Sequence, residues 1–284
     1  MSKRIGIVAA RSKPEAADLG KRIADWLRDS GHQPIPEREI GIEADSIDAI
    51  VVLGGDGLMM RAANIYPNLP LLGINFGKVG FLAHVEQQDW QAAVAALAHG
   101  DFTIEESSTL QATLRRDNQE IDQGWAINDV VIRSGNRMVN VELYIDGYFV
   151  NTYPGDGMIV STARGSTAYC MAAGGPILTA GVRGFAIVPI SCHSPIRTPL
   201  VASESAAIEL VLASSHDTAL ILDGRTPTDL EQNDIIRVTK GEHTFRLAVI
   251  GSTNFYDAVR TKFNFRIRPD AIPSRRRPQS MPMG

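Results

Sequence analysis

The chain has 284 residues, 44% of them hydrophobic, enough to bury a sizeable core; at about 150 residues per domain it suggests two domains. Its 28 Lys and Arg against 32 Asp and Glu leave a formal charge of −4, with no broad basic footprint for nucleic acid, so a small-molecule substrate fits better. The two cysteines, Cys170 and Cys192, stand in no Cys-x-x-Cys or metal-ligand spacing, and no stretch approaches the roughly 20 apolar residues of a membrane span; the expectation is a soluble, untargeted protein of a reducing cytoplasm.

The first hundred residues alternate apolar β-branched runs with helical patterns. Residues 4–9 read as a strand, 15–28 as an amphipathic helix, 49–53 as a strand, 57–65 as a helix and 70–74 as another buried strand. The alanine-rich run 87–98 reads as a helix closed by Gly100. This alternation is what a parallel, doubly wound α/β layer requires.

From Asp101 the texture changes to short alternating runs at 109–114, 126–133, 139–145, 148–153 and 158–161, broken by Asp-Gly turns. The small-residue segment 165–173 interrupts them and reads as a helix starting at Ser166 and closed by Gly174-Gly175-Pro176. Further strands are expected at 185–189, 207–212, 219–222, 235–239 and 245–250, followed by a helical pattern at 255–263 and a tail carrying Arg275-Arg276-Arg277 and three prolines. The fold class is therefore α/β: an N-terminal doubly wound α/β domain (1–100), a C-terminal mostly antiparallel β domain (101–253) and a disordered tail (269–284).

Gly54-Gly55-Asp56-Gly57 lies between a buried strand and a helix, where glycines let backbone approach a ligand and helix-start amides favour an anion such as phosphate. The alternative is that Asp56 merely caps its helix. Neither the Rossmann Gly-x-Gly-x-x-Gly, whose sixth position here is Met60, nor the phosphate loop Gly-x-x-x-x-Gly-Lys-Ser/Thr is present. A second Gly-rich turn, from Gly73 through Asn75 to Gly80, follows the next strand and forms either another wall of the same crevice or a turn packed by Phe81. Asn128-Asp129 and Gly155-Asp156-Gly157 suit contacts to a base or ribose, yet both are also ordinary turn chemistry, and Asp223-Gly224 is open between the two. Asp146-Gly147 reads as a plain hairpin. Gly165-Ser166-Thr167-Ala168-Tyr169 offers hydroxyls, helix amides and an aromatic face to a dinucleotide, or is simply a well-capped helix. The histidines, His193 among them, show no His-Glu-x-x-His spacing, so no protein metal site is expected.

Taken together, and in the same order over residues 5–263, these segments resemble the NAD kinase family. The family's Gly-Gly-Asp-Gly falls at Gly54-Gly55-Asp56-Gly57, its Gly-rich loop at 73–82, its Asn-acidic pair at Asn128-Asp129 and its Gly-Ser-Thr-Ala-Tyr at 165–169. The resemblance implies an enzyme that moves the γ-phosphate of ATP to the 2′-hydroxyl of the adenosine ribose of NAD. ATP and NAD would meet between an α/β and a β-rich domain, with the last helix (254–268) returning to the first. By the same carry-over Asp56 approaches the 2′-hydroxyl as base or orienting group. Gly57, Asn128, Asp129, Asp156, Thr167, Ala168 and Tyr169 hold the dinucleotide, with Arg164, His193 and Asp223 as further candidates, while Gly54, Gly55, Gly57 and Asn75 face ATP phosphate. Mg²⁺ or another divalent cation accompanies ATP, and a cytoplasmic homo-oligomer, dimer or tetramer, is implied.

Two departures stand out. Where the family commonly reads Thr-Pro-Thr, this chain has Thr162-Ala163-Arg164, whose guanidinium either pairs with a pyrophosphate or points into solvent. Near His193, Arg197 is followed by Thr198 before Pro199, interrupting the family's Arg-Pro. Two other readings compete. A lipid or diacylglycerol kinase shares the Gly-Gly-Asp-Gly signature, but the later Gly-Ser-Thr-Ala-Tyr argues against it; a non-catalytic dinucleotide sensor remains open because of Ala163 and Arg164.

Overall fold

A computed structural model describes residues 2–42, 46–77, 80–179, 181–195, 197–214 and 216–251, with Phe255, Tyr256 and Val259 beyond them. The chain forms two compact units, Met1–Gly251 and Ser252–Gly284. In the second, Phe255 and Tyr256 are helical and their rings meet edge to face at 5.6 Å. Most of the expected final helix, its return to the N-terminal region and the tail 269–284 lie outside the described residues.

The first unit begins with parallel α/β structure. Strand β1 (Arg4–Ala9) leads to α1 (Pro14–Asp29), β2 (Gln33–Pro36), α2 (Glu37–Ile40), β3 (Ala49–Gly54), α3 (Asp56–Ile65), β4 (Leu71–Asn75), β5 (Ala83–Val85) and α4 (Trp90–His99). Pro14 opens α1, where a missing N–H costs nothing, and Ala16, Leu19, Ile23 and Leu27 form its buried stripe. Strands β4, β3, β1 and β2 lie side by side and parallel. Helices α1 and α4 pack on one face of this layer and α2 and α3 on the other, so β3 and β4 are wholly buried and, but for the terminal Asn75 of β4, carry no polar side chain. The C-terminal ends of β3 and β4 thus open side by side, where ligands of doubly wound sheets bind.

The remaining elements are β6 (Thr103–Arg116), β7 (Gln119–Ala126), β8 (Asp129–Ser134), β9 (Val139–Ile145), β10 (Tyr148–Gly155), β11 (Gly157–Ser161), α5 (Tyr169–Ala172), β12 (Gly184–Ile190), β13 (Leu200–Ser203), β14 (Ile208–Leu212), β15 (Thr218–Leu222), β16 (Thr228–Leu230) and β17 (Ile235–Val249). Strands β13, β12, β11, β8, β15 and β16 form a six-stranded antiparallel sheet. Its inner face, through Ile132, Met158, Phe185 and Leu220, packs on Leu110, Leu143, Leu210 and Ile236 of the other sheet. Its outer face, through Val131, Ile159, Val188 and Ile190, is covered by Cys170 and Leu178 of the segment carrying α5.

Expected runs 235–239 and 245–250 are one strand, β17, with a register shift between Lys240 and Thr244, where Gly and charged residues interrupt the apolar alternation. β17 lies antiparallel to β6 and β14 and meets β4 in parallel through Leu247 and Leu71, so the α/β layer and part of the β-rich region share one eleven-stranded sheet. The change of texture at Asp101 is a change of layering inside this unit. Asp146 and Gly147, both at positive φ, make the tight β9–β10 hairpin read from the sequence.

The β6 end is locked by charge. Arg116 donates from Nε and Nη2 to the two carboxylate oxygens of Asp234 at 2.8 and 2.6 Å, and Asp234 is almost fully buried. Arg116→Met would strip this buried carboxylate of its cation, and urea denaturation should show a stability loss of about 3 kcal/mol with an unchanged m-value.

Candidate active site

Asp56 opens α3 directly beyond β3 but does not cap it. Its carboxylate turns instead to the chain entering β5: Oδ2 accepts the N–H of Phe81 at 2.6 Å, and Oδ1 accepts those of Leu82 at 3.0 Å and Ala83 at 3.2 Å. This overturns the simple helix-cap alternative and joins the two Gly-rich turns. Gly80 makes the grip possible, because a Cβ there would lie 1.8 Å from Asp56 Oδ1. A carboxylate has roughly four acceptor sites, so these donors orient Asp56 while leaving room for another.

A second carboxylate shapes the opposite wall. Asp223, at positive φ beyond β15, accepts the N–H groups of Ile127 and Asn128 at 2.8 Å each and of Asp129 at 3.1 Å. Gly165 packs against the same turn, where a Cβ would meet Asn128 O at 2.1 Å. Thr162 Oγ1 donates to Ile127 O and accepts the Gly165 N–H, fixing the loop after β11 onto the start of β8.

The expected helix from Ser166 is not continuous. Gly165–Thr167 make a 3₁₀ turn, Ala168 leaves helical space at φ −103° and ψ −125°, and only Tyr169–Ala172 are α-helical. The cause is local: buried Ser166 donates to Ala163 O and accepts the Leu178 N–H, so its hydroxyl staples the loop instead of facing a ligand.

These elements enclose a cavity of about 630 Å³ lined by Asp56, Gly57, Asn128, Asp129, Arg164, Thr167, Ala168, Tyr169 and Asp223, together with Met60, Phe81, Leu82, Val131, Arg133, Ile221 and Gly224. Met60 stands one helical turn beyond Asp56, and Val131 and Arg133 alternate with Asp129 along β8. Those periodicities were the signal available for the additional residues. Other candidates fall outside the lining. Asn75 is buried and shapes its own turn, its side chain bonding both the N–H and C=O of Gly77. Asp156 is exposed between β10 and β11, where the chain passes from one sheet to the other, so no hairpin forms there. Exposed His193 donates its main-chain N–H to Pro154 O beside that crossing. Gly54 and Gly55 lie behind the lining, ending β3 and preceding α3.

Of the two courses left open by the sequence, Arg164 does not take the one into solvent. It lines the cavity with its side chain 14% exposed, Nη2 donating to Glu105 Oε2 and Ser107 Oγ at 3.3 Å each. Burial lowers its pKa, opposed by the charges of Glu105 and Asp56. The carboxyl of Asp129, 6% exposed and without a hydrogen-bond donor among the described residues, is pushed up to about 7 by burial and then by the Asp223 charge. Burial also pushes the Cys170 thiol up to about 11. No cluster of three or more His, Cys, Asp or Glu side chains suited to a metal occurs among the described residues.

The family model for the ATP-NAD kinase N-terminal domain matches residues 40–102, and that for the C-terminal domain matches residues 127–250. The NAD kinase of Thermomicrobium roseum is 53% identical, the match covering 97% of this chain and 96% of that protein. The chain belongs to the ATP-NAD kinase family. An NAD kinase of Heliobacterium modesticaldum is 35% identical over 91% of this chain and 97% of its own. The ATP-NAD kinase fold is also shared with two solved structures. Yeast NADH kinase complexed with NADH superposes at a TM-score of 0.84, with 20% identity and coverage of 98% of this chain and 90% of that one. An NAD kinase from Archaeoglobus fulgidus in complex with ATP gives 0.74, with 23% identity and coverage of 92% and 98%.

Two outcomes follow for this cavity. A carboxyl raised from 3.8 to about 7 favours the fold fully below its unfolded pKa, and that contribution is lost as pH climbs through 7. Thermal unfolding of the parent should therefore weaken from pH 5 to pH 8, by up to about 1.4 kcal/mol per pH unit, and Asp129→Asn should flatten the trend. Gly80→Ala should displace the Asp56 carboxylate, cutting NADP formation about 100-fold while circular dichroism shows a folded chain.

Proposed function

We propose that this cavity is where the γ-phosphate of ATP passes to the 2′-hydroxyl of the adenosine ribose of NAD, giving NADP and ADP. The observation that carries the reading is Asp56, fixed by three backbone amides at the cavity wall and flanked by the Gly-rich start of α3. Asp56 takes the proton of the 2′-hydroxyl or orients it; the sugar oxygen forms its bond to the γ-phosphorus as the bond to the bridging oxygen of ADP breaks. Because such transfer depends mainly on alignment and charge neutralisation, a rigid orienting carboxylate is the protein's principal tool.

Gly55 and Gly57 bring backbone close to the phosphates at the α3 N-terminus. Asn128, Asp129, Thr167, Ala168 and Tyr169 hold the dinucleotide, Tyr169 offering a ring face. Asp223 keeps Asn128 and Asp129 in place through their amides. Magnesium bound to the triphosphate supplies charge neutralisation. The lining carboxylates, which form no cluster of three or more among the described residues, would suit a cation that arrives on the triphosphate and needs no protein cage. The two free cysteines fit a reducing cytoplasm, and the exposed Tyr148, Phe149 and Val150 on the edge strand β10 fit self-association. The family-model boundaries support two functional regions, one on each side of residues 102–127.

Incubation with Mg²⁺, ATP and NAD should yield NADP, and Asp56→Asn should lower kcat about 10²- to 10⁴-fold in the same assay. A folded Asp56→Asn protein turning over at the parental rate removes Asp56 from the chemistry. Tight NAD binding by the parent without product favours a sensor.

A further inference from the structure

Three carboxylates, those of Asp56, Asp129 and Asp223, line a cavity that must admit a polyanion. Two cations among the described lining residues oppose them, Arg133 and Arg164. Arg133 is exposed at the rim, with its guanidinium 6.0 Å from the Tyr169 ring centroid. Arg164 is the buried one, with its side chain 14% exposed. It leaves the loop after β11 and reaches the other sheet, where Glu105 and Ser107 of β6 anchor Nη2 and the Phe245 ring of β17 lies 5.5 Å beneath Cζ.

That anchoring is one-sided. Nε and Nη1 have no acceptor among the described residues, although the side chain is 14% exposed. A guanidinium presents five N–H donors and stays charged, so the unused donors form a preorganised site that donates to an anionic oxygen. Glu105, its ion-pair partner, is itself 42% exposed and so only partly offsets the charge.

We propose that Arg164 is a catalytic residue that binds the transferring γ-phosphoryl group of ATP through these unused donors. The proposal rests on the assignment of Asp56 to the ribose 2′-hydroxyl. In-line attack brings the γ-phosphorus to about 3–3.5 Å from that oxygen, whereas the pyrophosphate of NAD lies several bonds further along the sugar. Arg164 lines the same cavity as Asp56, and the negative charge of Asp56 works against the lowering of its pKa by burial. A cation sharing this cavity with Asp56 meets the phosphoryl group with its free donors and neutralises charge as the bridging bond to ADP breaks. Glu105 is the positioning residue that keeps the guanidinium turned this way.

The test uses the full chain, with NADP formation followed while ATP and NAD are varied separately. Arg164→Gln should lower kcat on the order of 10- to 100-fold, the size expected for losing hydrogen bonds to a charged group. KM for NAD should stay within about threefold, because an interaction made mainly in the transition state appears in kcat. Arg164→Lys should regain part of the rate, and guanidinium at low millimolar concentration should accelerate Arg164→Ala without accelerating the parent. Loss without recovery by Lys or by guanidinium means that the side chain only packs, and overturns the proposal. So does a rise confined to KM for NAD, which would place Arg164 on the pyrophosphate, or an unchanged kcat. In each of these cases NADP formation by the parent keeps the family reaction intact, whereas its absence in the parent sinks the underlying reading instead.

Discussion

The arrangement depends on a carboxylate that spends its hydrogen-bonding capacity on neighbouring backbone. Asp56 at the start of α3 draws in the amides of Phe81, Leu82 and Ala83, and so ties the end of β3 to the loop beyond β4. Asp223 does the same for Ile127, Asn128 and Asp129 on the facing wall. Each grip converts a glycine-rich or turn segment, which would otherwise carry unsatisfied N–H groups, into a fixed wall. Functional groups held this way need no reorganisation when a ligand arrives, and phosphoryl transfer gains most from such fixed alignment.

The two sheets explain why these walls face one another. β17 belongs to the β-rich region along most of its length yet ends beside β4, so the parallel layer and the antiparallel strands share hydrogen bonds instead of meeting through a linker. The six-stranded sheet packs on this shared sheet through an aliphatic core and carries the Gly165–Thr167 turn and α5 over its outer face. Ser166 and Thr162 staple that covering segment to the strands below. The result places a loop of the second sheet opposite the helix start of the first.

Charge in the cavity is nearly balanced, and the balance is local. Asp129 is raised toward neutrality by burial and by Asp223, whereas Arg164 is held against Glu105 and over Phe245. Under the proposed function a dinucleotide and a triphosphate both bring negative charge to the cavity, and a carboxyl that gives up its charge near pH 7 lowers the repulsion they meet.

Much of the α/β layer was legible in the amino-acid order alone. Strands buried on both faces read as unbroken apolar runs, as at β3 and β4, and α1 carries its apolar stripe at helical spacing. The glycine-flanked Asp56, the Asn128-Asp129 pair and the Gly-led segment 165–169 marked the cavity because turns that approach a ligand restrict residue type locally. What chain order could not express was long-range partnership: β17 as one strand, the break at Ala168, the amides that claim Asp56 and Asp223, and the burial of Arg164 against β6. Local composition determines periodicity and turn chemistry, because those depend on neighbours a few residues away. Only the tertiary structure decided which carboxylates serve backbone and which cation keeps free donors, because both are settled by groups tens of residues distant in sequence and a few ångströms distant in space.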